Sequence, residues 1–185
     1  MKALRAIYLD EIAQIPADKL VFIDEAGVNT SMARRYGWAK TARLYSRKPA
    51  QKGRNVTLIG ALRHTGIIAA MTIEGPADGD VFLTFVKEVL VSKLAPDDIV
   101  VLDNVSTHKV KGVVEAIEGA GARAMYLPPY SPELNPIEEC WSKVKGLLRT
   151  AAARTMSGLD EAVRRALSAV TPGNAEGWFR HAGYV

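Results

Sequence analysis

The sequence predicts an α/β domain in which helices flank a mixed β-sheet, and three observations predict it. Three short apolar runs, LVFI before Asp24, IVVL before Asp103 and AMYL at 124–127, have the composition of strands buried on both faces. Two more strand-like runs, VTLIGAL at 56–62 and GIIAAMTI at 66–73, lie on either side of a turn at His64 to Gly66. Segments with helical spacing of apolar residues alternate with the later runs, giving the order β, β, β, α, β, α, β, α, α.

Each element follows from its pattern. Residues 3–15 place Leu4, Ile7, Tyr8, Ile12 and Ile15 at helical spacing, a short amphipathic lead-in before the first strand, Leu20 to Asp24. The basic stretch after it reads as a long loop or irregular hairpin, and the strand pair 56–62 and 66–73 follows. Val81, Phe82, Phe85, Val86, Val89 and Leu90 recur on one face of a helix expected over 79–94. After the strand Ile99 to Asp103, Ser106 is expected to cap a helix whose face is Val110, Val113, Val114 and Ile117. Pro128 and Pro129 stop the strand at 124–127. Leu134 to Arg149 and Leu159 to Val170 read as helices, ahead of a short aromatic tail.

Composition bounds the function. A chain of 185 residues that is 48% hydrophobic and 24% charged can bury a real core, which excludes disorder and low-complexity structure. It has no apolar run of the roughly 20 residues a membrane span needs, and its N-terminus does not read as a signal peptide. No membrane partner is therefore expected. The single cysteine, Cys140, excludes an internal disulfide and any zinc site built on cysteine pairs. The expected setting is a reducing cytoplasm. GxxxxGK[ST], GxGxxG and GxSxG motifs are absent, which removes the P-loop, dinucleotide and α/β-hydrolase readings.

Two apolar strands end on a carboxylate, Asp24 and Asp103. A carboxylate there is costly to bury unless it binds a metal or is otherwise compensated, although Asp also commonly ends a strand or opens a turn. A third acid comes from the helix after LPPYSPELNP. At about 100° per residue, Glu138 falls on the edge of the face formed by Leu134, Ile137, Trp141, Val144 and Leu148, whereas Glu139 points roughly opposite, into solvent. By helix pattern alone, Glu138 reads equally as a metal ligand or as an acid favoured by the helix dipole.

The net charge is only +4, but its distribution is uneven. From Ala26 to Ile73 there is no acidic residue and there are nine basic ones, leaving the rest of the chain at −5. Arg34, Arg35, Lys52 and Arg54 belong to this basic stretch, with Tyr36, Trp38 and Tyr45 interleaved. Such clustering suits a nucleic-acid surface; the alternative is a solvated loop whose aromatics pack on the core. Ser142, Lys145 and Arg149 continue the flank of Glu138 as a stripe suited to phosphate, or as an ordinary solvated helix face. His108, five residues after Asp103, reads as a phosphate contact or a surface histidine.

FIDEAGVNTSMARRYGWA, VLDNVSTHK and YLPPYSPELNPIEECWSKVKGLLR together resemble the catalytic domain of bacterial insertion-sequence transposases of the mariner superfamily. The resemblance runs from about Leu20 to about Val170. The family triad is Asp, Asp, Glu, with 34 residues between the second and third; 34 residues separate Asp103 from Glu138. The resemblance implies an RNase H-like fold and assigns Asp24, Asp103 and Glu138 as catalytic residues and ligands of two Mg²⁺ ions, with Mn²⁺ an alternative. It implies DNA as partner, a homo-oligomer assembled on DNA, and a bacterial, nucleoid-associated location. Residues 1–19 read as a lead-in helix and linker remnant, and 20–185 as the catalytic domain. So short a lead-in cannot hold the family's N-terminal helix-turn-helix, which makes a separate helix-turn-helix polypeptide a candidate partner. Two rival functions stand beside strand transfer: a non-catalytic DNA-binding or oligomerisation remnant, and an RNase H-like nuclease that cuts without joining.

Overall fold

A computed structural model describes residues 2–34, 36–38, 43–45 and 53–185. Its centre is a five-stranded sheet formed by β1 (Leu20–Asn29), β4 (Asn55–Arg63), β5 (Gly66–Glu74), β6 (Ile99–Leu102) and β7 (Arg123–Tyr126). The strand order is β5-β4-β1-β6-β7; β1, β6 and β7 are parallel, while β4 runs antiparallel to both β1 and β5. This mixed, helix-flanked sheet is the RNase H-like architecture. Two short antiparallel strands, β2 (Tyr36–Trp38) and β3 (Arg43–Tyr45), form a hairpin in the basic stretch.

The period-two alternation of β1 sorts the core into two layers. Leu20, Phe22, Ala26 and Val28 face a layer built from α1 (Lys2–Ile12), α4 (Pro136–Ala151), α5 (Met156–Ser168) and α6 (Pro172–His181). Val21 and Ile23 face the other layer, which contains α2 (Gly79–Thr84), the helical turns after it and α3 (Val113–Gly119). Asp24 therefore projects to the α4 side and Glu25 to the α2 side.

Several elements differ from the sequence expectation. β1 does not stop at Asp24 but runs to Asn29, because β4 continues to pair with it: Asp24 lies opposite Gly60 and Asn29 opposite Asn55. The expected helix over 79–94 is three pieces: α2, a π-helical stretch Phe85–Leu90 and a 3₁₀ turn Val91–Lys93. The wider π turn sets residues five apart over one another, so Phe85 and Leu90 reach the sheet together. Ser106 opens only a 3₁₀ turn, Ser106–Lys109, and α3 begins at Val113 behind Gly112, whose φ of 100° suits glycine. The tail is a proper helix, α6, started by a Thr171 capping box with Pro172 at its first position. Among the described side chains of α1, Tyr8 and Ile12 are buried, while Leu4 and Ile7 remain exposed. Among the described residues, no helix is long and apolar enough to cross a membrane.

One buried ion pair clamps the far end of the sheet. Asp98 is fully buried and accepts from Arg63 Nη1 at 3.0 Å, Arg63 Nη2 at 2.6 Å and the Ala95 N–H at 2.7 Å. Burial alone would raise the Asp98 pKa, but the Arg63 guanidinium and the Ala95 N–H more than offset it and hold it below the usual carboxylate value. A depressed carboxylate contributes stability above its unfolded pKa and loses it as the pH falls. Asp98→Asn is expected to cost about 3–5 kcal/mol at neutral pH by stranding Arg63. Urea denaturation should show the gap from wild type narrowing as the pH drops below about 4.

Candidate active site

The parallel pairing of β1 with β6 ends at Ile23 opposite Leu102. One step further in the same register sets Asp24 beside Asp103, where β6 has stopped and the chain turns away. Adjacent strands are about 4.8 Å apart, so two carboxylates from distant parts of the sequence become neighbours at the carboxyl end of the parallel strands. Ligands collect at this end of open α/β sheets.

α4 brings the third carboxylate. Ile137, Cys140, Trp141, Val144 and Leu148 bury its inner face against the sheet. The approach is close because Gly60, opposite Asp24, has no side chain: a Cβ there would lie 2.5 Å from Trp141 Cη2. Trp141 is about one turn beyond Glu138, so the contact that seats the indole also sets the height of Glu138 over the sheet. Glu138 is exposed and lines a cleft of about 510 Å³ together with Asp103, Asn104, Tyr130 and Asn135. Glu139 is turned elsewhere. It is half-buried and lies 3.3 Å from His181 at the end of α6, rather than pointing into open solvent as the helix phase alone suggested. The helix is not solitary, because α6 packs beside it.

The charges of Glu138 and Asp103 both act on Asp24. Asp24 is 8% exposed, and burial is the largest influence raising its pKa, to about 7. The Glu25 N–H works against the rise, whereas the charges of Glu138 and Asp103 add to it. Asp103 goes the other way: burial would raise it, but His108 more than offsets this and leaves it below the ordinary range.

His108 is where the structure departs most from the sequence expectation. It is fully buried, so its ring is not open to a phosphate. Nδ1 lies 2.5 Å from Asp103 Oδ1, Nε2 lies 3.6 Å from Glu25 Oε1, and the ring stacks on Phe82 at a centroid distance of 4.0 Å. Burial would lower the His108 pKa, but the two carboxylates raise it to about 9. His108 thus sits between Asp103 and Glu25, the residue beside Asp24. The signal was present in DNVSTH, since a 3₁₀ turn returns His108 to the strand end; the partner Glu25, on another strand, was not legible.

Of the remaining predicted residues, Arg34, Lys145 and Arg149 lie at α4. Arg34 and Arg149 line a cleft of about 540 Å³ with Ala33 and Tyr36, and Arg34 Nε donates to Thr150 Oγ1 at 2.8 Å. Lys145 is half-buried on the same helix. Arg54 is exposed and paired at the surface with Glu74. Arg35 and Lys52 lie outside the described residues, as do the side chains of Trp38 and Tyr45.

The match to known proteins follows this geometry. Residues 19–160 match the family model described as DDE superfamily endonuclease. The chain belongs to that family. No curated protein matches the sequence. Among solved structures, the Mos1 strand-transfer complex superposes with a TM-score of 0.74 at 16% identity, covering 97% of this chain and 56% of that one. The Mos1 mariner paired-end complex with Mn gives 0.74 at 16% identity, covering 98% and 56%. The isolated catalytic domain of Mos1 mariner transposase gives 0.66 at 13% identity, covering 98% and 84%. This chain of the DDE family thus spans little more than half of the Mos1 chains in those complexes. At such identities the likeness establishes the shared fold.

The donor set fits a hard divalent cation. Three carboxylates offer only oxygen, the ligand type that Mg²⁺ and Mn²⁺ prefer. Among the described residues no basic side chain is bonded to Asp24, and its ionised form is disfavoured by burial and by two other acids, a penalty that a bound cation would remove. Among the described residues, no three His, Cys, Asp or Glu side chains are gathered tightly enough to grip one ion as they stand. Asp103, turned onto His108, is the ligand that would have to share its carboxylate.

Proposed function

We propose that this chain is the catalytic domain of a DNA transposase of the bacterial insertion-sequence type, hydrolysing and transferring phosphodiester bonds at transposon ends. The observation that supports the reading is the cleft that Glu138 shares with Asp103, beside a strand register that sets Asp24 next to Asp103. Two Mg²⁺ ions, or Mn²⁺, bound there would activate an attacking water or 3′-hydroxyl and stabilise the leaving oxygen. Asp24 supplies the buried ligand, held rigid within a strand paired on one side to β4. Asp103 is oriented by His108, an outer-shell contact of the kind that sets ligand geometry. Glu138 closes the set from the helix and faces the open cleft, where the scissile phosphate enters.

Arg34, Arg149 and Lys145 hold the DNA backbone along the α4 flank, joined by Arg35 and Lys52 of the basic stretch. Arg54 contributes by exchanging its surface partner Glu74 for phosphate, a small loss because exposed pairs are weak. Mos1 structures described as paired-end complexes support assembly of two or more copies on DNA.

The test uses supercoiled plasmid and a fluorescent duplex. The chain is expected to nick plasmid with Mg²⁺ or Mn²⁺ and not with EDTA. It should bind unrelated duplexes alike, with affinity falling steeply as salt rises. Nicking that survives EDTA, or binding indifferent to salt, would overturn the reading. Products in which a cut end is joined to a second DNA separate a transposase from a nuclease that only cuts.

A further inference from the structure

The last strand of the sheet, β7, has one side without a neighbouring strand among the described residues. Along its other side the Arg123 N–H donates to the Asp98 carbonyl at 2.8 Å and the Leu127 N–H to the Leu102 carbonyl at 2.8 Å. Backbone groups alternate in direction along a strand, so those of Ala124 and Tyr126 face outward. α1 runs beside this edge as a wall. Its Leu4, Ile7, Tyr8 and Glu11 bound a groove of about 390 Å³ with the strand. Leu4 and Ile7 are 55% and 61% exposed, so two large apolar side chains line the groove without being covered. An open strand edge beside exposed apolar side chains is a template for pairing with another chain.

The charges at the two ends of the groove identify that chain. Glu11 Oε1 lies 3.4 Å from Arg123 Nη2 at the start of β7, and Arg5 pairs with Glu133 beyond the end of the strand. α1 is therefore antiparallel to β7, acidic where the strand begins and basic past its end. A two-fold axis at Met125 exchanges these ends. It brings Glu11 of a second copy toward Arg5, and Arg123 of that copy toward Glu133. It also sets Ala124 opposite Tyr126 of the second copy, in the register in which facing residues exchange both N–H···O bonds. We propose that the β7 edge and α1 form a two-fold interface between two copies of this chain, joining their sheets edge to edge. Such an isologous contact requires a self-complementary surface, and both the backbone pattern and the order of charge meet that demand. The carboxyl ends of the two β7 strands then point in opposite directions, which puts the two carboxylate clefts at opposite ends of the seam. The pairing needs no DNA and does not rest on the DNA-cleaving reading.

Sedimentation equilibrium across a concentration series, in EDTA and without DNA, tests the interface. Wild type is expected to show a reversible monomer–dimer equilibrium. Leu4→Asp combined with Ile7→Asp should weaken the dimer at least about tenfold, because charges would then enter an apolar seam. Both positions are exposed in the single copy, so circular dichroism of the dilute monomer should match wild type. Met125→Cys probes the axis itself. Facing residues of a non-hydrogen-bonded antiparallel pair have Cα atoms about 4.5 Å apart, within disulfide reach. Under mild oxidant this variant should cross-link into dimers, whereas wild type, whose Cys140 is buried, should not. A wild type that stays monomeric at every concentration would overturn the proposal, whether the edge is bare or taken by another protein. So would a dimer that tolerates the two Asp substitutions, since the copies would then meet elsewhere. Neither result bears on plasmid nicking, which tests the DNA-cleaving reading separately.

Discussion

Replacing Glu138 by Gln is expected to abolish metal-dependent nicking, whereas Glu139→Gln keeps most of it. Gln is nearly isosteric, so the packing of Trp141 against Gly60 that seats the helix is preserved in both variants. What Glu138→Gln removes is one negative oxygen ligand at the cleft shared with Asp103. Changes to outer-shell partners of metal ligands typically cost 10–100-fold, and loss of a ligand itself should exceed that. Glu139 faces His181 instead, so Gln there sacrifices a surface contact and a dipole interaction worth about 0.3–1 kcal/mol. Plasmid nicking at saturating Mg²⁺ measures both. Equal loss in the two variants would show that the third carboxylate has been misassigned.

Asp24→Asn should make the chain more stable in EDTA while removing its stabilisation by Mn²⁺. The Asp24 pKa, about 7, stands above the ordinary 3.8. The folded state therefore holds a proton that the unfolded state releases, and stability falls as the pH rises from about 4 to about 7. Above pH 7 the full penalty remains, up to about 4 kcal/mol, and the amide avoids it. His108 acts in the same direction over a higher range: with a pKa of about 9, its contribution is complete below about 6.5 and is lost as the pH rises through 9. In EDTA, wild type should thus lose stability from about pH 4 to 9. Asp24→Asn should lose only the histidine part, above about 6.5. Mn²⁺ competes with the proton on Asp24, so its stabilising effect should grow as the pH rises past 7. Thermal melts across pH, with EDTA or Mn²⁺, measure all of this. A variant less stable than wild type at pH 8 in EDTA would contradict the strained-carboxylate account.

The sequence by itself determined the layered α/β architecture, because a strand buried on both faces and a helix buried on one impose local periodicities that survive in the amino-acid order. LVFID, IVVLD and the run from Ile137 to Leu148 carried those periods, and with them the sites of Asp24, Asp103 and Glu138. The tertiary structure alone decided what depends on partners remote in the chain. β1 continues past Asp24 because β4 supplies its hydrogen bonds. Glu139 finds His181 because α6, hidden in what read as a tail, packs beside α4. His108 is buried because Phe82 covers it and Glu25 meets it from another strand. The helix over 79–94 runs as α, π and 3₁₀ turns in succession, with Phe82, Phe85, Val86 and Leu90 buried in the packed core. Local patterns encode which face a residue presents; only the assembled fold specifies what meets that face, since the burial and charge that set a side chain's role are sums over neighbours that the sequence places far apart.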